Sequence, residues 1–187
     1  MINIVTLKLK RSLTAKFSEV RVLSLTFKEH IGEQEIFDVL MKLEKEYGVQ
    51  ILAVNPQLIL SHRQILSAIE HGIRSHFYGR KISADLKLEI LAYLLVDTRL
   101  KGLSSKALAS SIDKITLIVI SGEDFDENKF KEDIESWKVV TEVKDYDYAG
   151  ASRNLVDIAK IYRIPQTLDI ELTEKYVLEK IALVEVS

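Results

Sequence analysis

The chain has 187 residues, of which 47% are hydrophobic and 29% charged, with no cysteine and a formal net charge of −2. This globular composition argues against disorder, and the missing cysteines exclude disulfides, a thiol nucleophile and a thiolate metal site. No apolar run reaches the ~18–20 residues that span a bilayer, and the N-terminus lacks the basic-then-apolar order of a signal peptide. A soluble cytoplasmic protein is expected, with a single domain over residues 1–187 as the simplest partition.

Strands and one helix are predicted in the first third of the chain. The segments 2–10 and 20–28 predict strands, because apolar and polar residues alternate there and β-branched residues are frequent. Residues 33–47 predict a helix with one apolar face, and Gly48 follows at the position where helices commonly end. The apolar run at 49–54 predicts a buried strand.

Residues 62–77 predict a second helix. Ser61 and Gln64 fit a capping box, in which each side chain satisfies a free backbone N–H at the helix N-terminus. Gly79 marks its end. The apolar stripe that should face the core consists of Ile65, Leu66, Ile69, Ile73 and Phe77.

Further helices follow one another in the middle of the chain. Ser83 is expected to cap a helix over residues 84–96, and Ser104 a short helix around 104–111. The nearly continuous apolar run at 114–121 predicts a central strand. The remaining predictions are a helix at 126–137, a strand at 138–144, a helix at 151–163 that Pro165 breaks, a helix near 172–180 and a terminal strand at 182–186.

The element order predicts an α+β fold with a single mixed or antiparallel sheet and helices packed over it, because strands and helices do not alternate strictly.

Charge is unevenly distributed along the chain. Residues 1–121 carry a net charge of +5 and residues 122–187 a net of −7. Residues 122–150 are the most acidic region and are a candidate peripheral insertion. A basic half beside an acidic half suggests either a polyanion partner for the basic half or ordinary solvated helix faces.

Motifs for metal binding and catalysis are not found in the sequence. His71 and His76 are five residues apart, about 140° around a helix, and His62 and His76 are separated by about 21 Å of helical rise, so this helix cannot chelate an ion by itself. There is no Gly-x-Ser-x-Gly elbow, and the seven glycines form no phosphate-binding loop. A non-enzyme without cofactor or metal is expected, and a small α+β hydrolase is the weakest alternative.

Nucleic-acid binding is a hypothesis supported by the second helix. Arg63, His71 and Arg74 are predicted to lie opposite its apolar stripe, and Arg80 and Lys81 extend the basic side into the following loop. Such a face can hold phosphates, and neutral histidines can stack on bases. The alternative is a solvated helix face with satisfied histidines. Protein binding is a third hypothesis, with Tyr78 and Tyr93 as candidate exposed anchors.

Several segments, in this order, resemble the PRPK-binding protein (TPRKB-like) family over roughly residues 1–187. The helix segment QILSAIEHGIR carries an aliphatic-aliphatic-x-Ala pattern at Ile65, Leu66 and Ala68. The segment SADLKLEILAYLLVDTRL resembles the family's acidic residue, aliphatic helix and Thr-Arg turn, at Glu89, Leu91, Tyr93, Leu94, Thr98 and Arg99. The strand ITLIVIS and the ending YVLEKIALVEVS, with Glu179 before a basic residue, follow. The chain departs from the family pattern at Leu100, Lys101 and Gly102.

The resemblance implies a non-enzymatic subunit of the KEOPS complex. Family members bind the N-terminal lobe of the complex's small atypical kinase/ATPase, stimulate it and help to capture tRNA by its 3′ CCA end. The complex installs a threonylcarbamoyl group on an adenosine next to the anticodon, and another subunit carries the chemistry. No membrane or small-molecule substrate is implied. RNA contact is expected from Arg63, His71, Arg74, Arg80, Lys81 and Arg99. A protein-interaction subunit without RNA contact is the alternative.

Overall fold

A computed structural model describes residues 7–8, 17–108, 113–148, 155–166 and 169–186. The contacts among these residues group the chain into two compact units. Unit 1 comprises the described residues of 1–56 and 108–146, and unit 2 those of 57–107 and 147–187.

Unit 1 contains an antiparallel sheet. Its strands are β1 (Leu7–Lys8), β2 (Glu19–Phe27), β3 (Gln50–Val54), β4 (Lys114–Ser121) and β5 (Val140–Asp145). The order is β1-β2-β4-β3, and β5 pairs with β2 alongside β1. Strand β4 lies between β2 and β3: Ile118 of β4 is opposite Val22 of β2 on one side and Leu52 of β3 on the other. This central position explains why the sequence of β4 is almost entirely apolar.

Helices α1 (Glu33–Tyr47) and α5 (Glu127–Glu135) complete unit 1. Helix α1 ends at Gly48, whose φ of 65° is the left-handed conformation expected of a C-terminal glycine. Ile36 and Leu40 from α1 and Phe130 and Ile134 from α5 are buried in one core with the sheet. Strand β5 and helix α5 both belong to the acidic segment 122–150, so its described part is built into the sheet and core of unit 1.

Unit 2 is helical. It contains α2 (His62–Tyr78), α3 (Leu86–Leu94), most of α4 (Leu103–Leu108), α6 (Leu155–Tyr162) and α7 (Ile170–Leu183), which continues into a 3₁₀ turn at Val184–Val186. Helices α2 and α3 approach closely at Gly72. A Cβ atom on Gly72 would lie 2.9 Å from the Cα of Ile90, so only glycine allows this separation. The buried Gln64 amide on α2 donates to the Tyr162 hydroxyl on α6, which donates in turn to the Leu94 carbonyl on α3 at 2.6 Å. These two hydrogen bonds join three helices.

The α+β prediction is confirmed, and the sheet is antiparallel. Most predicted elements are found within a few residues, whereas parts of 2–10, 109–111 and 151–154 lie outside the described residues. No helix within the described ranges is long and apolar enough to cross a membrane.

Three predictions about caps and terminal elements were wrong. Asp85 rather than Ser83 caps α3, and the Ser83 hydroxyl instead accepts from the Asp85 amide. Ser104 lies inside α4, which begins at Leu103. The predicted terminal strand at 182–186 is the end of α7 and a 3₁₀ turn, because Thr173, Val177 and Ile181 bury one helical face that Val184 extends.

Candidate functional site

The first candidate site is a cleft at the C-terminal end of α2, called the α2 cleft. It encloses about 380 Å³. It brings together two of the predicted RNA-contact residues, Arg74 and Arg80. Exposed Lys81 follows directly in the chain. The other residues that line it are Ser75, Tyr78, Gly79, Tyr93 and Glu185.

A set of hydrogen bonds fixes the loop that carries Arg80 and Lys81. The Ser75 hydroxyl donates to the Arg80 carbonyl at 2.8 Å. On the other side of Lys81, the fully buried Glu89 carboxylate accepts from the amides of Ile82, at 3.2 Å, and Ser83, at 2.6 Å. The basic loop is therefore held at both ends, and Glu89 is the acidic residue noted in the family-like segment.

Exposed aromatic rings adjoin these cations. Tyr78 is 70% exposed and Phe77 49% exposed, and their ring centroids lie 6.4 Å apart. Phe77 was predicted in the core, which is wrong. Helix α2 meets α3 where Gly72 approaches Ile90, and α3 begins only four residues before Ile90, at Leu86. The last turn of α2, which carries Phe77, therefore has little of α3 to pack against. Of the two candidate anchors, Tyr78 is exposed and Tyr93 is buried, and this burial raises the pKa of the Tyr93 hydroxyl.

Two predicted RNA contacts near α2 are engaged by acidic residues. The Arg63 guanidinium donates to Glu174 at 2.8 Å, and Arg63 lies eleven residues, about 16 Å, before Arg74 on α2. The His71 Nδ1 lies 2.8 Å from a Glu185 carboxylate oxygen, and its ring stacks on Tyr93. Arg74 approaches Glu185 only to 3.9 Å, so it is the less tightly paired of these two α2 arginines.

Arg99 lies away from the α2 cleft. Its guanidinium donates to both carboxylate oxygens of Asp97, at 2.9 Å each, and the Lys106 ammonium donates to one of them at 2.7 Å. The Arg99 and Lys106 hydrogen bonds hold the pKa of Asp97 well below its usual range. These residues line a second cleft, described below.

The described residues contain no group of three or more metal-ligating side chains.

Several large apolar side chains lie at the surface of the described residues. Five of these lie on α6 and α7 and are called the α6–α7 apolar set: Val156, Ile161, Ile170, Leu172 and Leu183. Large apolar side chains exposed on two neighbouring helices are candidate protein contacts. Sequence periodicity could not identify them, because it does not show which apolar residues lie outside the core.

Comparison with known proteins gives one positive finding. A search of curated proteins finds no match. The family model described as kinase binding protein CGI-121 matches residues 28–185, which include every described strand and helix except β1 and β2. This match confirms the resemblance to the PRPK-binding family. The chain belongs to the kinase binding protein CGI-121 family.

Proposed function

We propose that the chain is a non-catalytic, cytoplasmic accessory subunit of the KEOPS complex. It binds and stimulates the small kinase/ATPase of the complex and helps to recruit tRNA, by its 3′ CCA end, for threonylcarbamoyl-adenosine modification. The observation that carries this proposal is the family match over residues 28–185, since the family binds a kinase. The tRNA role is supported by the chemistry of the α2 cleft.

The α2 cleft has the chemistry that single-stranded RNA requires. Sequence-tolerant RNA sites combine cations that track the phosphates with aromatic rings on which bases stack. Arg74, Arg80 and Lys81 supply the cations, and Phe77 and Tyr78 supply exposed rings on the same turn and loop. Because the Ser75 and Glu89 hydrogen bonds hold the loop, these groups are positioned before RNA arrives.

Charge reversal tests the RNA role. Arg74→Glu combined with Lys81→Glu is expected to weaken tRNA binding in a gel-shift assay and to reduce its salt dependence, since phosphate contacts are lost. The matched control is Lys42→Glu with Lys45→Glu, two exposed residues on α1 that undergo the same change of charge. Unchanged tRNA binding by the Arg74/Lys81 variant at low salt would refute the assignment.

Base stacking is tested separately. Tyr78→Ala leaves the charge unchanged and removes an exposed ring, so we expect weaker binding of tRNA that carries the CCA end. Transfer RNA without the CCA end should already bind weakly and respond little to the same substitution. Equal losses for both RNAs would contradict recognition of the terminal bases.

The kinase is proposed to dock on the α6–α7 apolar set. Burial of exposed aliphatic side chains is the main source of affinity in such interfaces, and a buried carboxylate there is costly. Val156→Glu and Leu172→Glu, tested singly, are expected to weaken kinase binding by isothermal titration calorimetry. Met41→Glu is the control, because Met41 is an exposed apolar residue on α1. Loss of binding only in the control would place the interface elsewhere.

The second candidate is a protein-interaction subunit without RNA contact. It is favoured by the carboxylates that already contact Arg63, His71 and Arg99. Kinase binding with no gel shift of total tRNA, with or without the CCA end, would establish this alternative.

A further inference from the structure

A second cleft in unit 2 shares no lining residue with the α2 cleft. Two of its lining residues, Ile161 and Leu183, belong to the α6–α7 apolar set proposed for kinase docking. It lies at the C-terminal ends of α3 and α6 and beside the last turns of α7, and we call it the α3–α6 cleft. It encloses about 460 Å³, within the range of small-molecule sites and larger than a bare anion needs.

The α3–α6 cleft is strongly cationic. Its lining includes the side chains of Arg99, Lys106, Arg163 and Lys180 and one carboxylate, Asp97. Asp97 is engaged by Arg99 and Lys106. Among the described residues, Arg163 and Lys180 have no hydrogen-bond or ion-pair partner for their side chains. Four cations against one carboxylate leave a surplus of three positive charges around one cavity.

Two helix ends at this cleft have an unusual backbone conformation. Val96 and Arg163 have φ values of 49° and 53°, and they are the two non-glycine residues of the described ranges with positive φ. Each occupies the position after a helix where glycine is normally found, since Asp97 N–H bonds to the Ala92 carbonyl and Ile164 N–H to the Ala159 carbonyl. Strained residues of this kind cluster at ligand sites. Glycine at 163 would relieve the strain but would remove one of the two unpaired cations.

The walls of the cleft suit a ligand that is anionic at one end only. Ile161 and Leu183 line it and expose apolar surface. The carbonyl ends of α3 and α6 contribute partial negative charge, which the surplus of side-chain cations exceeds. From the charge, the volume and the apolar walls, we propose that the α3–α6 cleft binds a free nucleoside phosphate. Arg163 and Lys180 hold the phosphate, and Ile161 and Leu183 cover the base.

This inference is independent of RNA recruitment at the α2 cleft. It also gives Arg99 a different role from the one the sequence suggested, as part of the wall of a small-molecule site.

The probe is ADP, chosen because the family's partner is a kinase. Binding to the full chain is measured by isothermal titration calorimetry, with adenosine and inorganic phosphate as separate ligands.

The test variant is Arg163→Gly combined with Lys180→Ala. Glycine accepts the left-handed backbone at 163, so this variant should fold while losing both unpaired cations. The control is Lys160→Ala with Lys175→Ala, which removes the same charge from residues of α6 and α7 that lie outside the cleft. ADP should bind more tightly than adenosine or phosphate, and the test variant should weaken ADP binding about tenfold or more. The control should match the unmodified chain.

Three results would overturn the proposal. The first is no ADP binding at millimolar concentration. The second is an equal loss in the control variant, which would indicate non-specific attraction to a basic surface. The third is a short single-stranded RNA whose binding depends on Arg163 and Lys180 while ADP does not bind, which would assign the cleft to RNA instead.

Discussion

The buried carboxylate of Glu89 is the single group on which the basic loop most depends, and Glu89→Ala tests this. Glu89 is 0% exposed and accepts the backbone N–H groups of Ile82 and Ser83. Truncation leaves both amides without their acceptor. Since Lys81 and Arg80 directly precede these amides, loss of the carboxylate should affect both folding and RNA binding.

The magnitude follows from the burial of the two amides. Ser83 is buried and its N–H bond to Glu89 is 2.6 Å, so leaving this group unpaired should cost about 2–3 kcal/mol. Ile82 is half-buried and its bond is 3.2 Å, so water can replace part of it and the cost is about 1 kcal/mol. Removing the carboxylate also removes the cost of burying it, which offsets part of this loss. The net loss in free energy of unfolding is about 2–3 kcal/mol, or roughly 5–10 °C in Tm.

Urea unfolding followed by circular dichroism measures this loss, because unit 2 contains most of the helix. The fluorescence of Trp137, the single tryptophan of the chain, reports on unit 1 in the same samples. Glu89→Gln retains one acceptor oxygen and should lose less than Glu89→Ala. Hydrogen exchange at the Ser83 amide should accelerate in both variants. A loss below about 0.5 kcal/mol with an unchanged m value, or an unchanged Ser83 exchange rate, would refute the reasoning.

Three further substitutions test the packing of unit 2 and the charge cluster of the α3–α6 cleft. Gly72→Ala should lower the free energy of unfolding, measured in urea, by about 1–2 kcal/mol, because overpacking against the Ile90 backbone outweighs the gain in helix propensity. A higher free energy of unfolding would show that α2 and α3 can move apart easily. Tyr162→Phe should lower the free energy of unfolding by about 2 kcal/mol in the same assay, because the Leu94 carbonyl loses a buried donor and the Gln64 amide loses an acceptor. An unchanged free energy of unfolding would mean that water replaces the hydroxyl. Asp97 has a lowered pKa in the folded chain, so it stabilises above its unfolded pKa near 3.8 and this contribution declines as pH falls below that value. Asp97→Asn should therefore flatten the acid side of the stability–pH profile, and an unchanged profile would contradict the Arg99 and Lys106 contacts.

Much of the fold could be predicted because burial imposes a period on the sequence. Helix α1, with its glycine end, and strand β4 were predicted with bounds that match the structure. The C-terminal end was not, because residues 182–186 form a short, mostly apolar run typical of a strand, whereas Val184 continues the 3.6-residue face of α7. At α3, two capping residues compete two positions apart, and sequence does not show which of Ser83 and Asp85 faces the helix.

The candidate sites could be predicted only in part, since their contacts are distant in sequence. Helical spacing predicted Arg74 on the outer side of α2, and Arg80 was predicted to extend that basic side into the following loop; the structure brings both to one cleft. Glu174 and Glu185, which engage Arg63 and His71, lie more than 100 residues further along the chain, so the ion pairs could not be inferred from local pattern. Of the residues that line the α3–α6 cleft, only Arg99 was a candidate from the sequence, because the ends of three helices and Lys106 of α4 come together to form it.

The most direct test of the central proposal is a binding measurement with the small kinase/ATPase of the KEOPS complex. The purified chain and kinase are mixed, and complex formation is followed by size-exclusion chromatography with light scattering. A stable equimolar complex is expected, together with faster ATP hydrolysis by the kinase. Two separate elution peaks at every mixing ratio, with unchanged ATP hydrolysis, would contradict the proposed function.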